Sequence, residues 1–311
     1  MTAANPFFGV HAATVAPMRP DFAIDEAALA AHVASVASVP GICGLLINGH
    51  AGENFYLTRE ELRRVIGVVR GTVPKTCLIT AGINSESSLE AARLAADAEK
   101  AGADALLVFP PNSWGLAHDA DMVIAHHEHV ERATTLPIVL YQAPVGTGHM
   151  AYQIPTIERL IVSARVKAVK EGSWEVAAFE QNWRFIGARR PDIAVLGSGD
   201  EHLLTSYLIG SRGAQVSLAA IVPELIVSLH EAAMAKDWAR ARAVHERIYP
   251  LSVAIYRRPP ANRATARLKK CLQILGRIEH ATARPPIGPL SAAEIQQLAE
   301  ALDPCRIDVA A

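Results

Sequence analysis

The chain has 311 residues, half of them hydrophobic, and a net charge of −1. That length supports a large core in one or two domains, and the balanced charge offers no basic face for nucleic acid. No apolar run approaches the roughly 20 residues of a membrane-spanning helix.

Apolar runs alternate with helical periodicity along the chain. Strand His11–Ala16 precedes helix Asp25–Ser38, Ile42–Asn48 precedes Arg59–Arg70, Thr76–Ala81 precedes Ser87–Ala101, and Ala105–Phe109 precedes Asp121–Ala133. The second half repeats the pattern: Ile138–Tyr141 with Ile154–Val162, Val166–Lys170 with Trp174–Gly187, Ile193–Gly197 with Glu201–Ile209, and Ala214–Ser217 with Pro223–Ala235. Strands that each lead into a helix predict a parallel sheet, and eight of them fit a closed (β/α)8 TIM barrel. An open doubly wound sheet usually has fewer strands, and no Gly-x-Gly-x-x-Gly follows the first strand here. Thr58 with Glu61 and Ser291 with Glu294 read as capping boxes, and Asp25 as an N-cap. After Ser217 the strands stop. Helices Trp238–Tyr256, Ala261–Leu275 and Ala292–Leu302 form a C-terminal appendage, interrupted by a stiff Arg284-Pro285-Pro286-Ile287-Gly288-Pro289 linker. The expected organisation is a barrel over 1–235 and a helical region over 236–311.

The opening Met1-Thr2-Ala3-Ala4-Asn5-Pro6 lacks the basic and apolar regions of a signal peptide. Cys43, Cys77, Cys271 and Cys305 are scattered and form no CxxC, so reduced thiols in a cytoplasmic protein are expected.

Catalytic groups of a barrel gather at the C-terminal strand ends. Strand six ends in Lys170, and burial there disfavours the ammonium and favours an amine nucleophile for carbonyls. Lys167, three residues earlier, faces the opposite side of the strand. Strand five ends in Tyr141. The second strand runs into Gly49-His50-Ala51-Gly52-Glu53, a short loop whose backbone N–H groups suit a carboxylate. Gly199, Ser198 and Asp200 follow strand seven, Ser217 ends strand eight, and Thr14 lies near the close of strand one. Asp200-Glu201 also reads as a helix opening, and Glu53 as a structural support of its loop. His126, His127 and His129 read as a solvated helix surface rather than a metal site. Arg257-Arg258 and Arg263–Lys270 read as an exposed basic face or an oligomer contact.

Taken together, Ala16-Pro17-Met18, Gly49-x-x-Gly52-Glu53, Tyr141-x-x-Pro144, Lys170-Glu171 and Gly197-Ser198-Gly199-Asp200 resemble the dihydrodipicolinate synthase / N-acetylneuraminate lyase family, from Gly9 to Leu290. The resemblance implies a lyase that binds a small 2-oxo acid, often pyruvate, as an imine on Lys170. Tyr141 would move protons, and Gly49, Ala51 and Gly52 would hold the carboxylate. Neither cofactor nor metal is implied, because the iminium is itself the electron sink. A homotetramer, built as a dimer of dimers, is implied as well.

Departures from the family pattern narrow the substrate. The synthases carry Gly-Thr-Thr-Gly-Glu where this chain has Gly49-His50-Ala51-Gly52-Glu53, so both hydroxyls are lost and His50 becomes the candidate acid/base replacement. A tyrosine after their fourth strand is replaced by Pro111-Asn112. Their arginine clamp after Tyr-x-x-Pro is replaced by Val145-Gly146-Thr147-Gly148. These changes point away from dihydrodipicolinate synthesis and toward a 2-keto-3-deoxy sugar acid dehydratase or a pyruvate-releasing aldolase. The alternatives are a hydratase-aldolase of an aromatic or other 2-oxo acid, and a non-catalytic barrel that senses sugar acids.

Overall fold

The computed structural model describes residues 5–306, so most of the opening stretch, residues 1–6, read above as lacking signal-peptide features, lies outside the described residues. Strands β1 (Gly9–Ala13), β2 (Ile42–Ile47), β3 (Leu78–Ile83), β4 (Ala105–Val108), β5 (Ile138–Gln142), β6 (Val166–Glu171), β7 (Ala194–Gly197) and β8 (Gly213–Val216) pair in parallel, in sequence order. β8 pairs back onto β1, which closes the barrel and leaves no sheet edge. Helices α1 (Glu26–Ala37), α2 (Arg59–Thr72), α3 (Ser88–Ala101), α4 (Ala120–Arg132), α5 (Ile154–Leu160), α6 (Val176–Arg189), α7 (Leu203–Ile209) and α8 (Pro223–Met234) follow the strands one by one. Each expected strand and helix is present, with ends displaced by a few residues. α9 (Trp238–Tyr256), α10 (Ala264–Ile274) and α11 (Ala292–Leu302) complete the chain.

Strand alternation sorts the barrel into two shells. Val139 and Tyr141 of β5, Ala168 of β6, Leu196 of β7 and Leu107 of β4 belong to the inner core. Leu140, Val169, Val195 and Val108, one residue out of phase, pack outward against the helices. Strands buried on both faces must be apolar on both, which is why they read as continuous apolar runs. The helices start where side chains capture free N–H groups. Asp25 accepts from Ala28 N at 2.9 Å, and Thr58–Glu61 and Ser291–Glu294 both form capping boxes. The outer core continues without a break from α8 into α9–α11 through Ala241, Ile248, Leu251, Leu268 and Leu272.

Two surface readings are corrected. His126 and His127 are buried, because with Val123 and Val130 they lie on the i, i+3, i+4, i+7 stripe of α4 that faces the core. His126 Nδ1 meets Ser88 Oγ at 3.0 Å, His127 Nδ1 meets the Val123 carbonyl at 2.9 Å, and burial lowers both pKa values to about 4. The Arg263–Lys270 face is not exposed either. Arg267 is fully buried and donates to the Ile255 and Arg258 carbonyls, each at 2.8 Å, where the end of α9 leaves carbonyls without helical partners. Lys269 is fully buried as well and pairs with Glu53. Periodicity alone marks neither cation as internal, since the groups that neutralise them come from distant segments.

Candidate active site

Lys170 and Tyr141 are directly paired across the β5–β6 ladder. They continue the inward series Ala168 and Val139 and stand side by side, about 4.8 Å apart at the backbone, on the inner wall of the barrel. Lys167 falls at an irregularity of the ladder: Ile138 pairs with Val166 and Val139 with Ala168, so Lys167 has no partner on β5. Desolvation lowers the Lys170 pKa to about 8, and the Asp200 carboxylate works against that shift. Tyr141 is driven the other way: burial, then the charge of Glu171, raises its pKa. The phenol is therefore fully protonated at neutral pH and starts as a proton donor. Glu171 faces outward, accepting from Asn182 Nδ2 at 2.8 Å and Ser173 Oγ at 2.9 Å. Gly172 leaves space behind the pair, because a Cβ there would approach the Gln142 carbonyl to 2.9 Å and Tyr141 Cε2 to 3.4 Å.

The loop after β2 is a 3₁₀ turn, His50–Gly52, that ends at Glu53 in the left-handed region with φ 59°. Gly52, Glu53 and Asn54 use their N–H groups within the loop. Those of His50 and Ala51 donate to no backbone carbonyl among the described residues, as befits the opening of a helical turn. The His50 ring stacks between Phe109 at 4.4 Å and Phe55 at 4.8 Å and meets the edge of Tyr141 at 5.5 Å, centroid to centroid. Surrounding protein, then the Lys170 charge, lowers its pKa. The residue is exposed at the barrel mouth, so water tempers the first effect; both push the same way, and the ring is neutral near pH 7. His50 therefore enters as a proton acceptor.

Glu53 supports the loop through a side chain rather than only through backbone bonds. Its carboxylate forms a fully buried ion pair with Lys269 of α10 and accepts from Arg284 N at 2.9 Å. Arg284 itself clamps Glu61, 2.8 Å from Nη1 to Oε2, so the Pro-rich linker is tied to the barrel. Thr14 sits behind the loop, buried, with its hydroxyl donating to Leu46 O at 3.4 Å.

Asp200 does not cap its own helix. Its Oδ1 accepts from Leu218 N at 2.8 Å and so bridges the loops after β7 and β8. Burial raises its pKa to about 6, against the Leu218 hydrogen bond and the Lys170 charge. Gly199, just before it, lies against His202. Ser217 lines a cavity of ≈ 260 Å³ together with His50, Phe55, Tyr256, Asn262 and Thr265. Tyr256, Phe55 and Phe109 were not singled out from the sequence. Tyr256 reaches the site from α9, beyond the barrel, and no local signal marks it. Its hydroxyl lies near Asp200 and Ser217 without a hydrogen bond of good geometry to either. Trp174, held at φ 56°, places its ring 5.1 Å from that of Tyr256.

Among the described residues no helix is long and apolar enough to cross a membrane, and no group of three or more His, Cys, Asp or Glu could hold a metal. Residues 6–304 match the sequence profile of the Dihydrodipicolinate synthetase family. The chain belongs to that family. It is a lyase by membership, and the family fold accounts for the barrel and its C-terminal helices. A 4-hydroxy-tetrahydrodipicolinate synthase of Nitrobacter hamburgensis is 31% identical over 93% of this chain and 94% of that protein. One from Methanopyrus kandleri is 31% identical over 80% of this chain and 81% of its own length. Among solved structures, an Agrobacterium tumefaciens dihydrodipicolinate synthase superimposes with a TM-score of 0.84 at 27% identity, covering 97% of this chain and 99% of that one. YagE, a prophage protein from E. coli K12 solved in complex with pyruvate, gives 0.88 at 24% identity over 96% and 98%, a likeness of fold. These sequence relatives carry the synthase name, whereas the sequence reading above favours another 2-oxo acid.

Proposed function

We propose that the chain is a class I lyase that binds a 2-oxo acid as an imine on Lys170 and uses Tyr141 as its proton shuttle. The observation that carries this reading is the in-register Tyr141–Lys170 pair on the inner wall, with an amine whose pKa is lowered to about 8. The free amine attacks the keto carbon, water leaves, and the iminium withdraws electrons from the adjacent carbon. In aldol cleavage the bond one carbon further on breaks, its pair enters the enamine, and the departing hydroxyl proton goes to a base. In dehydration, a base first takes a proton from the adjacent carbon to form the enamine, whose electron pair then expels the hydroxyl one carbon further on as water, with an acid protonating it as it leaves. Neutral His50 suits the first step and protonated Tyr141 the second. The backbone N–H groups of His50 and Ala51 would hold the carboxylate beside the imine.

The substrate is a 2-keto-3-deoxy sugar acid, processed by dehydration or by pyruvate release. Loss of both loop hydroxyls, with an exposed Val145-Gly146-Thr147-Gly148 where the synthases place an arginine, supports this over dihydrodipicolinate synthesis. The aromatic wall of His50, Phe55, Phe109 and Tyr141 favours one alternative, a hydratase-aldolase of an aromatic 2-oxo acid. The working form would be a cytoplasmic homotetramer, which sedimentation of the purified protein measures directly.

Incubation with pyruvate and borohydride should add one reduced pyruvyl group to the intact mass, and Lys170→Ala should not acquire it. No adduct with any 2-oxo acid would sink the imine reading. A substrate screen that scores pyruvate release against water loss then separates the chemistries, and efficient condensation with aspartate semialdehyde would restore the synthase reading. The trapping rate should rise about tenfold per pH unit and level off near pH 8, because only the neutral amine attacks. Asp200→Asn removes the charge that holds the ammonium and should move the inflection to lower pH. An inflection near 10 in the wild type would mean a solvent-facing lysine.

A further inference from the structure

The loop that would hold the substrate carboxylate is anchored by a helix outside the barrel. Thr265 of α10 donates its hydroxyl to the His50 carbonyl at 3.1 Å, and Glu53 N donates to the same oxygen at 3.1 Å. Four residues along the same helix, Lys269 forms the fully buried ion pair with Glu53 and also donates to the Thr282 carbonyl at 2.8 Å. Both ends of the 50–53 turn are therefore held by one face of α10.

The peptide bond makes this anchoring directional. A trans peptide is planar, with its C=O and N–H pointing opposite ways. Fixing the His50 carbonyl toward Thr265 fixes the Ala51 N–H in the opposite direction, away from α10. At the other end, Glu53 occupies a left-handed conformation unfavourable for a residue with a Cβ, and the buried pair with Lys269 opposes its relaxation.

We propose that Thr265 and Lys269 are positioning residues: α10 sets the orientation of the Ala51 N–H, and thereby the affinity for the carboxylate of the bound 2-oxo acid. The proposal rests on the Lys170 imine reading and assigns a working part to the appended helices. Thr265 lines the cavity beside His50 but acts through the His50 carbonyl, and Lys269 acts through Glu53.

The test uses the full-length protein and pyruvate as the probe, reading the half-saturating pyruvate concentration and the limiting rate of borohydride trapping separately. Thr265→Val removes the hydroxyl alone. It should raise the half-saturating concentration about tenfold, the scale of one lost hydrogen bond to an ionised group, with the limiting rate nearly unchanged. Thr265→Ser should restore it. The double variant Glu53→Gln/Lys269→Met removes the ion pair without leaving a lone buried charge and should show the same rise. A folded Thr265→Val within twofold of wild type overturns the proposal, whatever the double variant does. Wild type that traps no pyruvate overturns the imine reading and this role with it, and is told apart by the wild-type lane alone.

Discussion

Lys170→Met should lose turnover by at least about ten-thousandfold, the scale on which removal of a covalent nucleophile is felt, and should become more stable. The first effect follows from the missing amine: with no imine there is no electron sink, and neither Tyr141 nor His50 supplies one. The second follows from linkage. The folded protein holds the Lys170 proton with a pKa of about 8, against roughly 10.4 for an unfolded lysine. Folding therefore penalises the charged form. The penalty is fully present below pH 8, fades between 8 and about 10.4, and is absent above. At about 1.4 kcal/mol per pH unit it is slightly above 3 kcal/mol, and partial exposure of the side chain reduces it to about 2 kcal/mol. Methionine keeps the apolar stem and removes the charge. Denaturant unfolding of wild type and variant at pH 7 and pH 10 checks this: the variant's advantage should be clear at pH 7 and small at pH 10. Equal stabilities at both pH values would mean that the ammonium is comfortably solvated.

Tyr141→Phe separates proton movement from imine formation. The ring remains, so packing against Phe109 and His50 is kept, while the hydroxyl is lost. Pyruvate should still be trapped on Lys170 by borohydride. Steps that move a proton should slow by about 10²–10⁴, visible as lost exchange of the pyruvate methyl protons with deuterated solvent and lost turnover of the true substrate. The raised pKa of Tyr141 makes the reason specific: the phenol holds its proton at neutral pH, and it gives the proton up and takes it back only where the iminium charge stabilises its anion. A phenylalanine variant that exchanges at the wild-type rate would transfer the shuttle to His50, whose neutral ring can accept the proton, and His50→Gln would then abolish the exchange.

Most of the barrel is legible because its information is local. Two-sided burial makes β4 and β5 continuous apolar runs, and the Thr58–Glu61 and Ser291–Glu294 boxes announce their helices within four residues. The Lys170–Tyr141 pair is legible for the same reason: a titratable group at the end of an apolar run is visible where it stands. His126 and His127 were misplaced because a histidine on a helix reads as polar, whereas its position on the stripe shared with Val123 and Val130 decides its burial.

By itself, then, the sequence determined that eight strands alternate with helices and that Tyr141 and Lys170 lie near the ends of strands five and six, since strand periodicity and turn chemistry act over a few neighbours. Only the tertiary structure decided what surrounds that pair. Lys269 meets Glu53 across 216 residues and Thr265 meets His50 across 215, while Tyr256 enters the site from a helix outside the barrel. Contacts at such separation leave no periodic trace, because burial of a charge and the identity of its partner are settled only when distant segments pack together.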